Sequence, residues 1–134
     1  MSTPAHTVLG ASQGPVVVVL DGIRAGGLGD EAHVAAVRAG VRLVVPLLGT
    51  EARALVDALH LDEVGVLAQG AGIPLALGAA AVLGARVRAL SVLGETPPVD
   101  AAPAGIPLSV WALRPETGPT LALYDAALRF CAPS

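Results

Sequence analysis

Apolar and polar positions along the chain fall into blocks that switch repeatedly between strand-like and helix-like spacing. Residues 16–20 (VVVVL) are an unbroken apolar run, the pattern of a strand covered on both faces. Residues 41–48 (VRLVVPLL), 64–68 (VGVLA) and 86–93 (RVRALSVL) repeat it, 106–113 (IPLSVWAL) supply a last strand, and 5–9 (AHTVL) read as a short edge strand. Pro46 has no ladder donor and belongs near a strand end or at an edge. Helical spacing appears in between. Asp30 is placed to cap a helix over 31–39 with Val34 and Val37 on one face, and Gly40 to stop it at the C′ position. Thr50 caps a second helix over 51–59, with Leu55, Val56 and Leu59 turned inward. Further helices are expected over 73–83 and 120–130. The three prolines of 94–105 (GETPPVDAAPAG) mark a linker rather than a crossover helix.

Strands alternating with helices through short loops predict an α/β fold, a three-layer sandwich whose mostly parallel sheet has five or six strands. Ligands of such sheets bind beyond the carboxyl ends of the strands, where the winding direction reverses. Function is therefore expected in residues 21–29, 49–50, 69–72, 94–105 and 114–119.

The stretch 64–85 organises the rest. Residues 65–85 carry no charge and are about as long as a membrane span. Five glycines and a proline inside them favour a strand, a tight turn at 69–72 and a helix instead. Pro74 suits the first helical turn, and the turn directs backbone N–H groups at the positive end of the helix dipole toward the space above the sheet.

Composition narrows the function classes. The 134 residues form one domain, 1–134, and with 54% hydrophobic but 2% aromatic residues its core is valine, leucine and alanine. A net charge of −3 without a basic block gives nucleic acid no electrostatic footprint. Cys131 stands alone, which rules out a disulfide framework within the chain and a cysteine metal site. His6, His33 and His60 lie far apart in sequence, so no metal site and no cofactor is expected. The start, MSTPAHTV, lacks the basic and apolar regions of a secretion signal, making the cytoplasm the expected compartment, with no membrane partner. A mean hydropathy of +0.70 is high for a soluble monomer and predicts a homo-oligomer.

In this order the segments resemble the core of the α/β-hydrolase family. VVVVLDG is similar to the family's strand that ends in His-Gly before the oxyanion loop, and VRLVVPLLGT to the next strand with its glycine-rich exit. LDEVGVLAQGAGIPLALGAAAVLGARVRALSVLGE resembles the strand, nucleophile elbow, helix and following strand, and IPLSVWALRPE the later strand whose exit carries the acid. The resemblance spans roughly residues 5–130 and implies a shortened α/β-hydrolase-like core without a cap domain.

The resemblance also implies a degenerate site. In the family's G-x-S-x-G motif the serine sits on a strained turn; the matching residues here are Ala68, Gln69, Gly70, Ala71 and Gly72, which puts Gly70 at the nucleophile position. Glycine has no side chain with which to form an acyl-enzyme. No histidine follows His60, the acid position falls near Pro115 or Glu116, and Asp21 replaces the first-strand histidine. The backbone cradle is what remains, with the N–H groups of Ala71 and Ile23 at the positions of the oxyanion donors. The implied candidate ligand residues are Asp21, Gly22, Ile23, Gln69, Gly70, Ala71, Gly72 and Glu95. The expected role is that of a pseudoenzyme, binding a small molecule or serving in assembly. The family's last strand and helix go unmatched, so the edge from Ile106 to Leu113 is expected to be covered by a homodimer partner or another protein.

Two enzymatic alternatives stand beside this. Asp21, Glu95 and Glu116 each follow an expected strand, and a cyclase, isomerase or lyase without serine would use the Ala71 and Ile23 amides with Asp21 or Glu95 as acid–base group. Gly70 and Gly72 also open a partial dinucleotide-binding pattern, whose third glycine position is occupied by Leu75.

Overall fold

The strands with the longest apolar runs take the middle of the sheet. The computed structural model describes residues 6–21, 30–46, 52–69, 72–94, 105–111 and 121–132. In chain order these form β1 (His6–Gly10), β2 (Val16–Asp21), α1 (Asp30–Ala39), β3 (Arg42–Pro46), α2 (Ala52–Ala58), β4 (Val64–Gln69), α3 (Gly72–Leu83), β5 (Val87–Leu93), β6 (Leu108–Trp111) and α4 (Leu121–Cys131). The six strands lie in the order β1-β3-β2-β4-β5-β6. β1 runs antiparallel to β3, and every other pair is parallel. All six residues of β4 are buried, as befits a strand with neighbours on both sides and helices on both faces.

Alternation along β2 divides the interior into two cores. Val16, Val18 and Leu20 point to the face covered by α2 and α3, where Leu55, Val56, Ile73, Ala76 and Ala80 pack. Val17 and Val19 point to the face of α1 and α4, against Ala35, Ala36, Tyr124 and Leu128. The three-layer α/β sandwich expected from the sequence is thus present, with six strands. Residues 65–85 are not one helix but strand, turn region and helix, followed by a 3-10 turn at Gly84–Arg86. No helix among the described residues is long and apolar enough to cross a membrane.

The stops of α1 and α2 follow one design. Val41 N–H reaches Ala36 O at 2.9 Å and Gly40 N–H reaches Val37 O at 3.2 Å, with Gly40 at φ +71°. At the end of α2, Leu61 N–H bonds Val56 O and His60 N–H bonds Asp57 O, both at 3.1 Å, with His60 at φ +56°. Both are Schellman closures. Gly40 was expected; a histidine in the left-handed region was not. Pro46 is the last residue of β3, opposite His6 and beyond the parallel ladder to β2, where its missing N–H breaks no central bond.

Val34 and Val37 share one face of α1, and that face is the exposed one; the buried stripe is Ala32, Ala35 and Ala36. The reason is distance. A side chain on Gly10 of β1 would come within 2.6 Å of Ala36 Cβ and 2.5 Å of Val41 O, so α1 lies too close to the sheet edge for valine on that side. A second tight approach lies at the sheet centre, where a Cβ on Gly65 of β4 would sit 2.0 Å from the Cys131 carbonyl oxygen of α4.

Candidate functional site

The winding direction reverses between β2 and β4. From β2 the chain moves to β3 on one side, then crosses back through α2 to β4 on the other, and continues outward to β5 and β6. The crevice beyond the carboxyl ends of β2 and β4 is therefore the place where a sheet of this kind binds ligands. The ladder fixes which residues border it. Asp21, the last residue of β2, is the register partner of Gln69, the last of β4. The same row continues through Leu93 of β5 to Trp111 of β6.

Of the eight candidate residues, Asp21 and Gln69 are thus brought side by side, and Gly72 opens α3 just beyond. Gly22, Ile23, Gly70, Ala71 and Glu95 lie outside the described residues, as does Glu116.

Gln69 is buried, and its side chain is held from the α4 face. Tyr124 of α4 donates its hydroxyl to Gln69 Oε1 at 2.9 Å, within the interior. The hydroxyl of Ser91 ties α4 and β6 to the same part of the sheet. Ser91 of β5, fully buried, donates to Ala127 O at 2.9 Å and pairs with Ser109 of β6 at 3.1 Å. Cys131 is buried beside Ser91, and burial pushes its thiol up to about 12, leaving it neutral and inert. Neither the Tyr124–Gln69 bond nor the role of Ser91 was recognised from sequence. The only signal was the spacing of Tyr124, Ala127, Leu128 and Cys131 on one helical face, since a buried tyrosine requires a partner for its hydroxyl.

The histidines are separate in space as in sequence. His6 begins β1, His60 is exposed after α2, and His33 of α1 accepts the Gly10 N–H on Nδ1 at 2.9 Å. Among the described residues no three His, Cys, Asp or Glu side chains gather where a metal ion would need them.

No family model matches the chain, and no curated protein matches it in sequence. Solved structures do. An α/β-hydrolase enzyme from a sediment metagenome of the Mar Chica lagoon, Morocco, superposes with a TM-score of 0.59 at 21% identity, over 75% of this chain and 53% of its own. The chain has an α/β-hydrolase fold. An epoxide hydrolase from Vigna radiata shares this fold at a TM-score of 0.55 and 23% identity, over 67% of this chain and 34% of its own. An α/β-hydrolase-fold protein from Nakamurella multipartita is 32% identical, with a TM-score of 0.50, over 66% of this chain and 36% of its own. The matched region thus spans about a third to a half of the length of these α/β-hydrolase-fold structures.

Proposed function

We propose that the chain is a non-hydrolytic member of the α/β-hydrolase fold that binds a small molecule at the β2/β4 crevice. The observation that carries this is the residue following Gln69. The chain leaves the central strand at the switch point, where the fold presents a nucleophile, and residue 70 is glycine. Without a hydroxyl or thiol at that position no covalent acyl intermediate forms there. What remains is the adjoining carboxyl ends of β2 and β4 and the start of a helix, whose dipole favours an anion or a carbonyl oxygen. We propose the cytoplasm as its compartment. We also propose that a second chain covers apolar surface of this domain; β6, at an edge of the described sheet, is the surface nominated by the sequence.

The decisive assay is reaction with a fluorophosphonate probe, with no labelled serine as the expected result. Specific labelling of any serine overturns the reading. A thermal-shift screen of small carboxylates and carbonyl compounds then finds the ligand, since saturation at about 100 times Kd stabilises by about 2.7 kcal/mol.

The position of Asp21 in the ladder beside Gln69 favours one second reading, a cyclase, isomerase or lyase with Asp21 or Glu95 as acid–base group. Asp21→Asn and Glu95→Gln separate the two. An enzyme of this kind loses turnover and keeps its ligand; a binding protein shows no turnover to lose.

A further inference from the structure

Gln69 is a buried polar side chain whose hydrogen-bonding capacity the fold uses only in part. A glutamine amide carries two N–H donors on Nε2 and an acceptor oxygen, Oε1. Tyr124 of α4 takes the acceptor, donating its hydroxyl to Oε1 at 2.9 Å. Nε2 has no hydrogen-bond partner among the described residues. Ser91, likewise buried, is fully employed, bonding Ala127 O on one side and Ser109 on the other. Gln69 is only 5% exposed, and a side chain so enclosed does not normally leave its donors unpaired.

Three facts say where the nitrogen opens. Tyr124 holds Oε1 toward α4, and the planar amide therefore turns Nε2 away from the tyrosine. β2 and β5 are paired with β4 on either side of Gln69, through Asp21 and Leu93. The nitrogen is nevertheless not sealed in. Among the described residues the enclosed side-chain nitrogen or oxygen without a partner is Arg42 Nε, and Nε2 of Gln69 is not such an atom. Gln69 is the last residue of β4, so its open side lies beyond the carboxyl end of that strand, in the β2/β4 crevice.

The surroundings make this a strong donor. Leu67 and Leu93, on the same face of the sheet, are fully buried, and Tyr124 is nearly so. A hydrogen bond made among apolar side chains is stronger than one made in water. Nε2 can donate and cannot accept, so what it takes is an oxygen acceptor.

We propose that Gln69 is the residue of this crevice that recognises the ligand's oxygen, Nε2 donating to a carbonyl or carboxylate group of the bound molecule. Tyr124 is its positioning residue. A flip of the amide would remove the oxygen to which the tyrosine hydroxyl donates, so the tyrosine keeps the donors turned to the crevice. This rests on the small-molecule reading of the crevice and names the group that selects the ligand there.

Side-chain amide resonances test it. The chain has no asparagine and two glutamines, Gln13 and Gln69, so two NH2 pairs appear in a proton–nitrogen correlation spectrum. Gln13 is exposed in the turn before β2, at the opposite end of the sheet, and is the internal control. The probes are acetate, butyrate and hexanoate, the matching primary amides and the matching alkylammonium ions, each titrated to about 50 mM to reveal millimolar binding. The expected result is a shifted Gln69 pair with carboxylates or amides, an unmoved Gln13 pair, and no response to the ammonium ions, which offer no acceptor. A response to carboxylates alone assigns an anionic ligand, and one to amides alone a neutral carbonyl. Gln69→Glu keeps an acceptor for Tyr124 but replaces the donors with oxygen, and weakens the responding probe about ten- to a hundredfold. Tyr124→Phe moves the Gln69 pair in the free protein and weakens the same probe, which a merely structural tyrosine would not do. A Gln69 pair that no probe shifts overturns the proposal. So does a Gln69→Glu protein that binds the probe as the parent does; that outcome removes the donor role and leaves the small-molecule reading in place, whereas a fluorophosphonate-labelled serine removes the non-hydrolytic reading.

Discussion

Replacing Gly65 with alanine tests how α4 is seated on the central strand. The new methyl would lie 2.0 Å from the Cys131 carbonyl oxygen, 2.7 Å from its carbon and 3.3 Å from Val17 Cγ2. Ordinary contact begins near 3.4 Å, so the carbonyl has to retreat from 2.0 to 3.4 Å, a shift of about 1.4 Å. The obstacle is backbone at the end of a helix, which cannot swing aside as a flexible side chain does. Overpacking of this kind costs about 1–3 kcal/mol. A retreating α4 also strains the Ser91 bond to Ala127 O and the Tyr124 bond to Gln69, each worth about 1 kcal/mol net. The sum is about 3–5 kcal/mol. At roughly 2.1 cal/mol/K per residue for the entropy of unfolding, the melting temperature drops by about 10–18 °C. Thermal denaturation followed by circular dichroism measures this, and an aromatic disulfide reagent reports Cys131 locally. In the parent protein the thiol is buried and unreactive; in the variant it reacts before global unfolding. An alanine variant that melts within about 1 °C of the parent, with Cys131 still protected, refutes the close seating of α4 on β4.

Other perturbations give outcomes of different sign. Tyr124→Phe leaves Gln69 Oε1 buried without its donor and destabilises by about 1–3 kcal/mol, while adding Gln69→Leu recovers most of the loss, as read from a urea-denaturation double-mutant cycle. His60→Gly relieves a left-handed residue at the stop of α2 and stabilises by about 0.5–1 kcal/mol, detectable as a higher urea midpoint. The Arg86 guanidinium, hydrogen-bonded to Asp57, holds that carboxyl below its ordinary range, with Arg53 adding to the effect. A depressed carboxyl stabilises the fold above its unfolded-state pKa, near 3.9, and that contribution disappears as pH falls through the lower folded-state value. Asp57→Asn therefore flattens the acid limb of stability against pH and leaves its slope at neutral pH unchanged.

The sheet was legible because its strands are apolar runs bounded by glycine and acid, and a run such as VVVVL has few other ways to be buried. Gly40 could be read as a stop because a left-handed residue is needed there and glycine supplies it cheaply. Which face of α1 is buried could not be read. Valine outranks alanine in hydrophobicity, yet the buried stripe is Ala32, Ala35 and Ala36, and the approach of Ala36 to Gly10 of β1 leaves no room there for a larger side chain. The strand ends could be placed in outline, since apolar runs and the turn signals after them are visible in sequence. That Asp21 and Gln69 are partners depends on strand order and register, and these are products of packing between distant segments. The Tyr124–Gln69 bond joins residues 55 positions apart, and Ser91 in a strand reads as an outward polar residue until α4 is laid over it.

β4 is gripped by α4 at both of its ends, through Gly65 under Cys131 and through Gln69 under Tyr124. A strand pinned at two points by one rigid rod cannot slip past its neighbours by a residue, even beside the bulge that interrupts its ladder with β5 between Val64 and Val66. The last helix thus acts as a splint for the strand that feeds the crevice. Any shortened derivative meant to keep the crevice intact has to retain α4, although no residue of that helix follows a strand end at the switch point.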